Sequence, residues 1–184
     1  MLAFRTFFAL AAAAVAIANP LRTRQDTNTN SAIHDIVSTL DEVVHVVMPT
    51  VLLLQANQTD TDGTIGAQVN TLITAFNTAE SALAATPVSS GSTTVIPTND
   101  DISILFADVM SILASGLSGL PTASSVPSFA SDVSRLDPSV AGTINQFNIT
   151  LPGSVILVHT MMLDAQQFLV QEGAFPQTVA ALGF

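Results

Sequence analysis

The chain has no cysteine, no lysine, no tryptophan and no tyrosine. Without cysteine it has none of the disulfides that hold many small secreted domains together. That excludes a cysteine-framework surface protein of the hydrophobin kind and leaves stability to a hydrophobic core, for which a chain of this length suffices. The lack of lysine leaves four arginines in 184 residues, against 14 acidic side chains. Binding nucleic acid requires clustered cations to neutralise phosphates, and docking on an anionic membrane needs a basic patch; the sequence has neither. Missing Trp and Tyr removes the aromatic platforms with a polar handle on which sugars usually stack. The 48 % of hydrophobic residues is therefore Ala, Val, Leu, Ile and Phe with some Met, a composition suited to contacts with acyl chains.

The first 18 residues read as a secretory signal. Arg5 supplies the positive charge, Phe7 to Ala16 the apolar run, and Ala16, Ile17 and Ala18 a small-x-small cleavage site. The run is shorter than the roughly 20 residues that span a bilayer, and the later apolar stretch Val43 to Leu54 is short and contains Pro49. No transmembrane segment is expected, and the protein is expected to be secreted, to the extracellular space or the cell wall. Cleavage after Ala18 leaves Arg22, Arg24 and Arg135 against 14 acids, a formal net charge of −11. Residues 19–30 are polar and read as a flexible leader, in which Arg22 and Arg24 mark either a trimming site or a plain basic tail. Residues 31–184 form the single folded domain.

That domain is organised around Ser31 to Leu54. Ile33, Ile36, Val37, Leu40, Val44, Val47 and Val51 recur at helical spacing, within about 60° of one direction on a wheel. His34, Asp35, Ser38, Asp41, Glu42 and His45 fill the opposite side. Beyond His45 the polar side disappears, because Val46 and Leu53 point where it had been. The expectation is a centre post buried on every side, capped by Asn30 or Ser31 and kinked or broken at Pro49. A second helix from about Ile65 to Ala85 carries Val69, Leu72, Ile73, Phe76, Ala79 and Leu83. A third, opened by Thr98 to Asp101, carries Ile102, Leu105, Phe106, Val109, Leu113 and Leu117 and ends at Gly116, Gly119 and Pro121. The loop Thr122 to Ser128 is serine-rich enough for O-glycosylation.

Two short helices are predicted next: one around Phe129, Val133 and Leu136, the other around Val140, Ile144 and Phe147 with Asp137 as its cap, each with a proline near its start. Ser154 to Glu172 reads as a buried helix, with a buried strand as the alternative for Val155 to Val158, and Phe175 to Phe184 as a closing turn. The fold class is all-α: an antiparallel bundle of about five to six helices. Asn57 and Asn148 open N-glycosylation sequons.

The chain carries no complete catalytic motif. The nearest approach to a Gly-x-Ser-x-Gly elbow, Gly116 to Gly119, lacks the last glycine. His34 and His45 share a helix face but stand about 16 Å apart along the axis at 1.5 Å per residue, so a metal would need ligands from elsewhere and none is assigned. Asp41 and His45 read as a surface pair, and His159 with Asp164 as a buried core pair. Met161 and Met162 fit ordinary packing better than an adaptable cavity. No enzyme activity and no cofactor are expected.

Three segments, "IHDIVSTLDEVVHVV", "QTDTDGTIGAQVNTLITAF" and "NDDISILFADVMSILASGL", follow the signal-like start in a cysteine-free, aromatic-poor chain. In this the sequence resembles the fungal hydrophobic surface-binding proteins, which share a domain with cell-wall galactomannoproteins. The resemblance spans Ser31 to Phe184 and lies in helix pattern and spacing; the chain departs from it in lacking lysine and in the proline-broken stretch Pro121 to Pro152. It implies a secreted helical bundle that adsorbs to hydrophobic surfaces and, in some members, holds a fatty acid between its helices. A secreted hydrolase or a cell-wall polysaccharide is a further partner to expect.

The expected function is accordingly non-catalytic lipid binding or surface adsorption through an aliphatic interior. The candidate cavity lining is Leu40, Val44 and Val47 from the first helix and Ile73 and Phe76 from the second. Phe106, Val109 and Leu113 from the third, with Phe147 and Met162, complete it. Arg135, the one cation of the folded part, is the expected partner of a lipid head group at the bundle mouth. The alternatives are a glycosylated structural wall protein with a solid core and no ligand, or a secreted effector.

Overall fold

The computed structural model describes residues 27–118, 120, 125–170 and 174–184. The signal segment, Arg22, Arg24, Gly119 and Pro121 lie outside them. The fold is all-α, helices joined by turns and loops, with no strand among the described residues. Its elements are α1 Asn30–Ala56, α2 Asp62–Ala85, α3 Asn99–Leu117, α4 Phe129–Thr150, α5 Ser154–Met161, α6 Gln166–Val170 and α7 Pro176–Leu182.

The apolar stripes of the sequence become the core. Ile33, Val37, Leu40, Val44, Val47 and Val51 of α1 are buried, as are Val69, Leu72, Phe76 and Leu83 of α2 and Ile102, Phe106, Val109 and Leu113 of α3. Each such side chain contributes about 1.5–3 kcal/mol by leaving water. α1 packs mainly against α3 and α2, and α2 mainly against α4 and α1. The order across the body is therefore α3, α1, α2, α4, with α5, α6 and α7 set between α3 and α4.

The hydrogen bonds fix the sense of these pairs. Along α2 and α4, Asp62 meets Ser128, Asn70 meets Arg135, Phe76 meets Thr143 and Leu83 meets Thr150, at separations of 65 to 67 residues. A constant separation means that the two helices run parallel and in register. α1 and α3 do the same: Asn30 bonds Asn99, 69 residues on, and Met48 faces Gly116. The bundle is thus two antiparallel hairpins, α1–α2 and α3–α4, laid on each other in the same sense.

Several expectations are corrected. α1 is not a centre post. It forms part of one outer layer, and Val46, Leu52 and Leu53 are 69 %, 51 % and 61 % exposed. The wheel placed Val46 and Leu53 correctly on the polar side; what fails is the inference that apolar residues there must find neighbours. Pro49 does not break α1, which is a single helix of 27 residues, because Val44, Val47, Met48 and Val51 hold both halves on one core. Among the described helices α1 is the one long and apolar enough to cross a bilayer by length and composition. Its buried stripe is occupied by α2 and α3. Thr29, not Asn30 or Ser31, is the residue before α1. Asn30 is instead buried, with Nδ2 donating to the Pro97 carbonyl and to Asn99 Oδ1, both at 2.9 Å.

Gly116 does not end α3. It lies inside it, where the backbone meets α1: a Cβ there would stand 2.6 Å from Met48 Sδ and 3.0 Å from Met48 Cβ. Gly116→Ala should therefore cost about 1–3 kcal/mol by overpacking, read as a lower urea midpoint; an unchanged midpoint would show that α1 and α3 separate freely there.

The two short helices expected from 129 to 147 are one, α4, with Pro138 inside it. Asp137 does not cap a helix of that stretch. Its buried carboxylate reaches across to α7, where Oδ1 accepts from the Thr178 amide at 2.8 Å and the Thr178 hydroxyl at 2.7 Å, and Oδ2 from the Gln177 amide at 3.0 Å. The expected single helix from Ser154 is split into α5 and α6, and Ile156 is 74 % exposed.

The start of α3 matches expectation. Thr98 and Asp101 form a reciprocal cap, with Thr98 N donating to Asp101 Oδ2 at 2.9 Å and Asp101 N to Thr98 Oγ1 at 3.1 Å. The Thr98 amide and then its hydroxyl hold the Asp101 carboxyl below the usual value. α2 opens with a similar box between Thr61 and Thr64. Asp62 ties that end to α4, and donation first from the Ser128 hydroxyl and then from its amide lowers the Asp62 carboxyl as well.

Candidate functional site, a groove along the α1–α2 seam

The interior lining expected from the sequence is packed core. Val44, Phe76, Phe106, Val109, Leu113, Phe147 and Met162 are all buried. Phe106 and Phe147 stack at 4.5 Å between ring centroids, joining α3 to α4 through the middle. Ser111 Oγ donates to Met162 Sδ at 3.2 Å, which makes Met162 a packing residue. Ile73 is half-buried against the core. Of the ten lining candidates, Leu40 and Val47 do touch open space, on the outside of the bundle.

That space is a groove of about 480 Å³ between α1 and α2. Ile36, Leu40 and Val43 form one wall, Ala75, Ala79 and Ala82 the other, and Thr39, Thr71, Thr74 and Thr78 the rim. A shallower depression of about 310 Å³ adjoins it, sharing Val43 and Thr71 and adding Glu42, Val46 and Val47. From Ile36 to Val47 the trough follows α1 for about 16 Å at 1.5 Å per residue. The exposed Val46 and Leu53 continue the line, seven residues apart on one helix face.

The four threonines explain why the sequence hid this site. Each donates its hydroxyl to the carbonyl four residues back in its own helix: Thr39 to Asp35 at 2.8 Å, Thr71 to Ala67 at 3.0 Å, Thr74 to Asn70 at 2.9 Å and Thr78 to Thr74 at 2.7 Å. The hydroxyl protons are taken up locally, so the methyl groups are what remains to meet a ligand. A wheel counts these residues as polar and assigns them to solvent. Small alanines opposite keep the floor low, and the larger of the two depressions has no charged side chain in its walls. The signal was present as a Thr/Ala stripe beside the core stripe of α2.

Arg135 lies elsewhere. It sits on α4, where Nη2 donates to Asn70 Oδ1 at 2.5 Å and Nη1 faces Asp132 Oδ1 at 3.4 Å. It is not among the groove residues. The charged side chain at the groove is Glu42. His159 and Asp164 are not a buried pair: Asp164 is exposed, while His159 Nδ1 lies 3.0 Å from the Leu182 carbonyl and the ring stacks on Phe184 at 4.2 Å. Asn57 and Asn148 are both exposed. Thr150 of the second sequon is buried, its hydroxyl donating to the Leu83 and Gln146 carbonyls.

No family model matches this chain, and no curated protein sequence does.

Proposed function

We propose that the protein is a secreted, non-catalytic binder of lipid chains or waxy surfaces, and that the α1–α2 groove is its contact site. The observation that carries this is the conversion of a nominally polar seam into a hydrocarbon-faced trough by four back-bonded threonines. Its volume lies in the range of small-molecule sites. An alkyl chain laid in it gains about 0.8 kcal/mol for each methylene removed from water, before the costs of association. With Glu42 at one end and no cation in the walls, the favoured ligand is uncharged, such as a fatty alcohol, an ester or a wax. A fatty carboxylate is disfavoured by the site and by the net charge, −10 for the full chain and −11 without its first 18 residues.

Ala75 is half-buried in the groove wall, so a large side chain there fills the trough without entering the core. Ala75→Trp should reduce binding of a fluorescent alkyl alcohol at least tenfold while leaving the circular dichroism spectrum unchanged. Native mass spectrometry of protein purified from its host should show a neutral lipid adduct in the wild type only. Equal binding by the variant would remove the groove from the account. The structural-wall reading draws on a different observation, the solid core and the exposed Asn57 and Asn148; it expects a clean apo mass and no alkyl binding by either protein.

A further inference from the structure

Outside the groove, one set of side chains converges across two helices. Asp41 and His45 stand one turn apart on α1, and Asp108 comes from α3. One ligand-capable atom of each lies within 4.8 Å of the others. His45 Nδ1 is 3.1 Å from the Asp41 carbonyl oxygen. A carbonyl only accepts, so Nδ1 carries the proton and, in the neutral ring, Nε2 presents a lone pair. Nε2 faces Asp108 Oδ2 at 3.8 Å. Two lone-pair atoms facing each other repel unless a proton or a metal ion sits between them. The separation suits one, since two ligands each about 2.0–2.2 Å from a zinc ion stand at most about 4.4 Å apart. Asp41 Oδ1 is closed off from solvent and makes no well-aligned hydrogen bond; it lies 3.0 Å from His45 Nδ1, on the protonated side of the ring.

We propose that Asp41, His45 and Asp108 form a site for a divalent transition-metal ion, zinc being the best match to one imidazole and two carboxylates. The backbone carbonyl of Asp41 fixes the ring in the tautomer that leaves Nε2 free, the usual arrangement behind a metal-bound histidine. His45 and Asp108 are about half exposed, at 47 % and 54 %, so further positions on the ion stay open to water. The site clasps α1 to α3, on ligands that His34 and His45 alone do not supply.

The test is calorimetric titration of the intact protein with zinc chloride, and separately with magnesium chloride. One zinc per chain is expected, with magnesium binding far weaker. His45→Ala and Asp108→Asn should each weaken zinc binding by more than the 10- to 100-fold typical of losing a supporting partner. His34→Ala is the control and should bind as the wild type does. Zinc should also raise the melting temperature of the wild type and not that of His45→Ala, because the three ligands meet only in the folded chain. The three substituted side chains are 40 %, 47 % and 54 % exposed, and circular dichroism checks that each variant folds. Equal zinc affinity in the wild type and His45→Ala, or no binding by the wild type, overturns the assignment.

Discussion

Phe106→Ala should destabilise the protein by about 4 kcal/mol, the middle of the range for deleting a buried phenylalanine. The ring is wholly buried and stacked on Phe147, and the alanine leaves a void bounded by helices that cannot close on it. α3 and α4 meet mainly through this stack and through the three short helices between them, so the loss loosens the joint on which the second hairpin depends. Urea unfolding measures it: the midpoint falls while the slope stays constant. A cost below about 1.5 kcal/mol, at the level of tolerated volume-conserving swaps, would mean that the core repacks, and that a cavity inside the bundle can be opened cheaply.

The second large effect is expected at Asp137. Asp137→Ala removes the acceptor for two amides and one hydroxyl of α7. Hydrogen bonds to a charged group are worth about 1.5–3 kcal/mol each, and they do not add in full, so a loss of about 3 kcal/mol is expected. The damage should be local before it is global. Hydrogen exchange at the Gln177 and Thr178 amides should rise well ahead of exchange in α1 or α2, because α7 packs mainly on α4. Asp137→Asn keeps one side-chain acceptor and should lose less. If exchange rose evenly along the chain, the clamp would be an ordinary part of the core rather than the anchor of the C-terminal segment.

Much of the fold was legible as periodicity. The stripes of the first three helices and the Thr98 cap are strong local signals, and they landed where the spacing put them. The errors share one cause, which is that a wheel sees one helix at a time. It placed Val46 and Leu53 on the correct face of α1 but could not tell whether a neighbour would cover them. It saw Pro138 as a start, although Val133 and Leu136 before it and Val140 and Ile144 after it dock on one core and hold α4 together. It assigned Asp137 to the nearest helix, while its partners are 40 and 41 residues on. The groove was missed for a chemical reason: threonine counts as polar until its hydroxyl is known to be engaged. The cluster of Asp41, His45 and Asp108 needed Asp108, which only the pairing of α1 with α3 brings to His45.

The register between the hairpins has a further consequence. The second hairpin has its crease roofed by the last three helices of its own chain; the first, lying in the same sense, has its crease bare. A guest on the first hairpin would then take the place that the chain's own tail holds on the second.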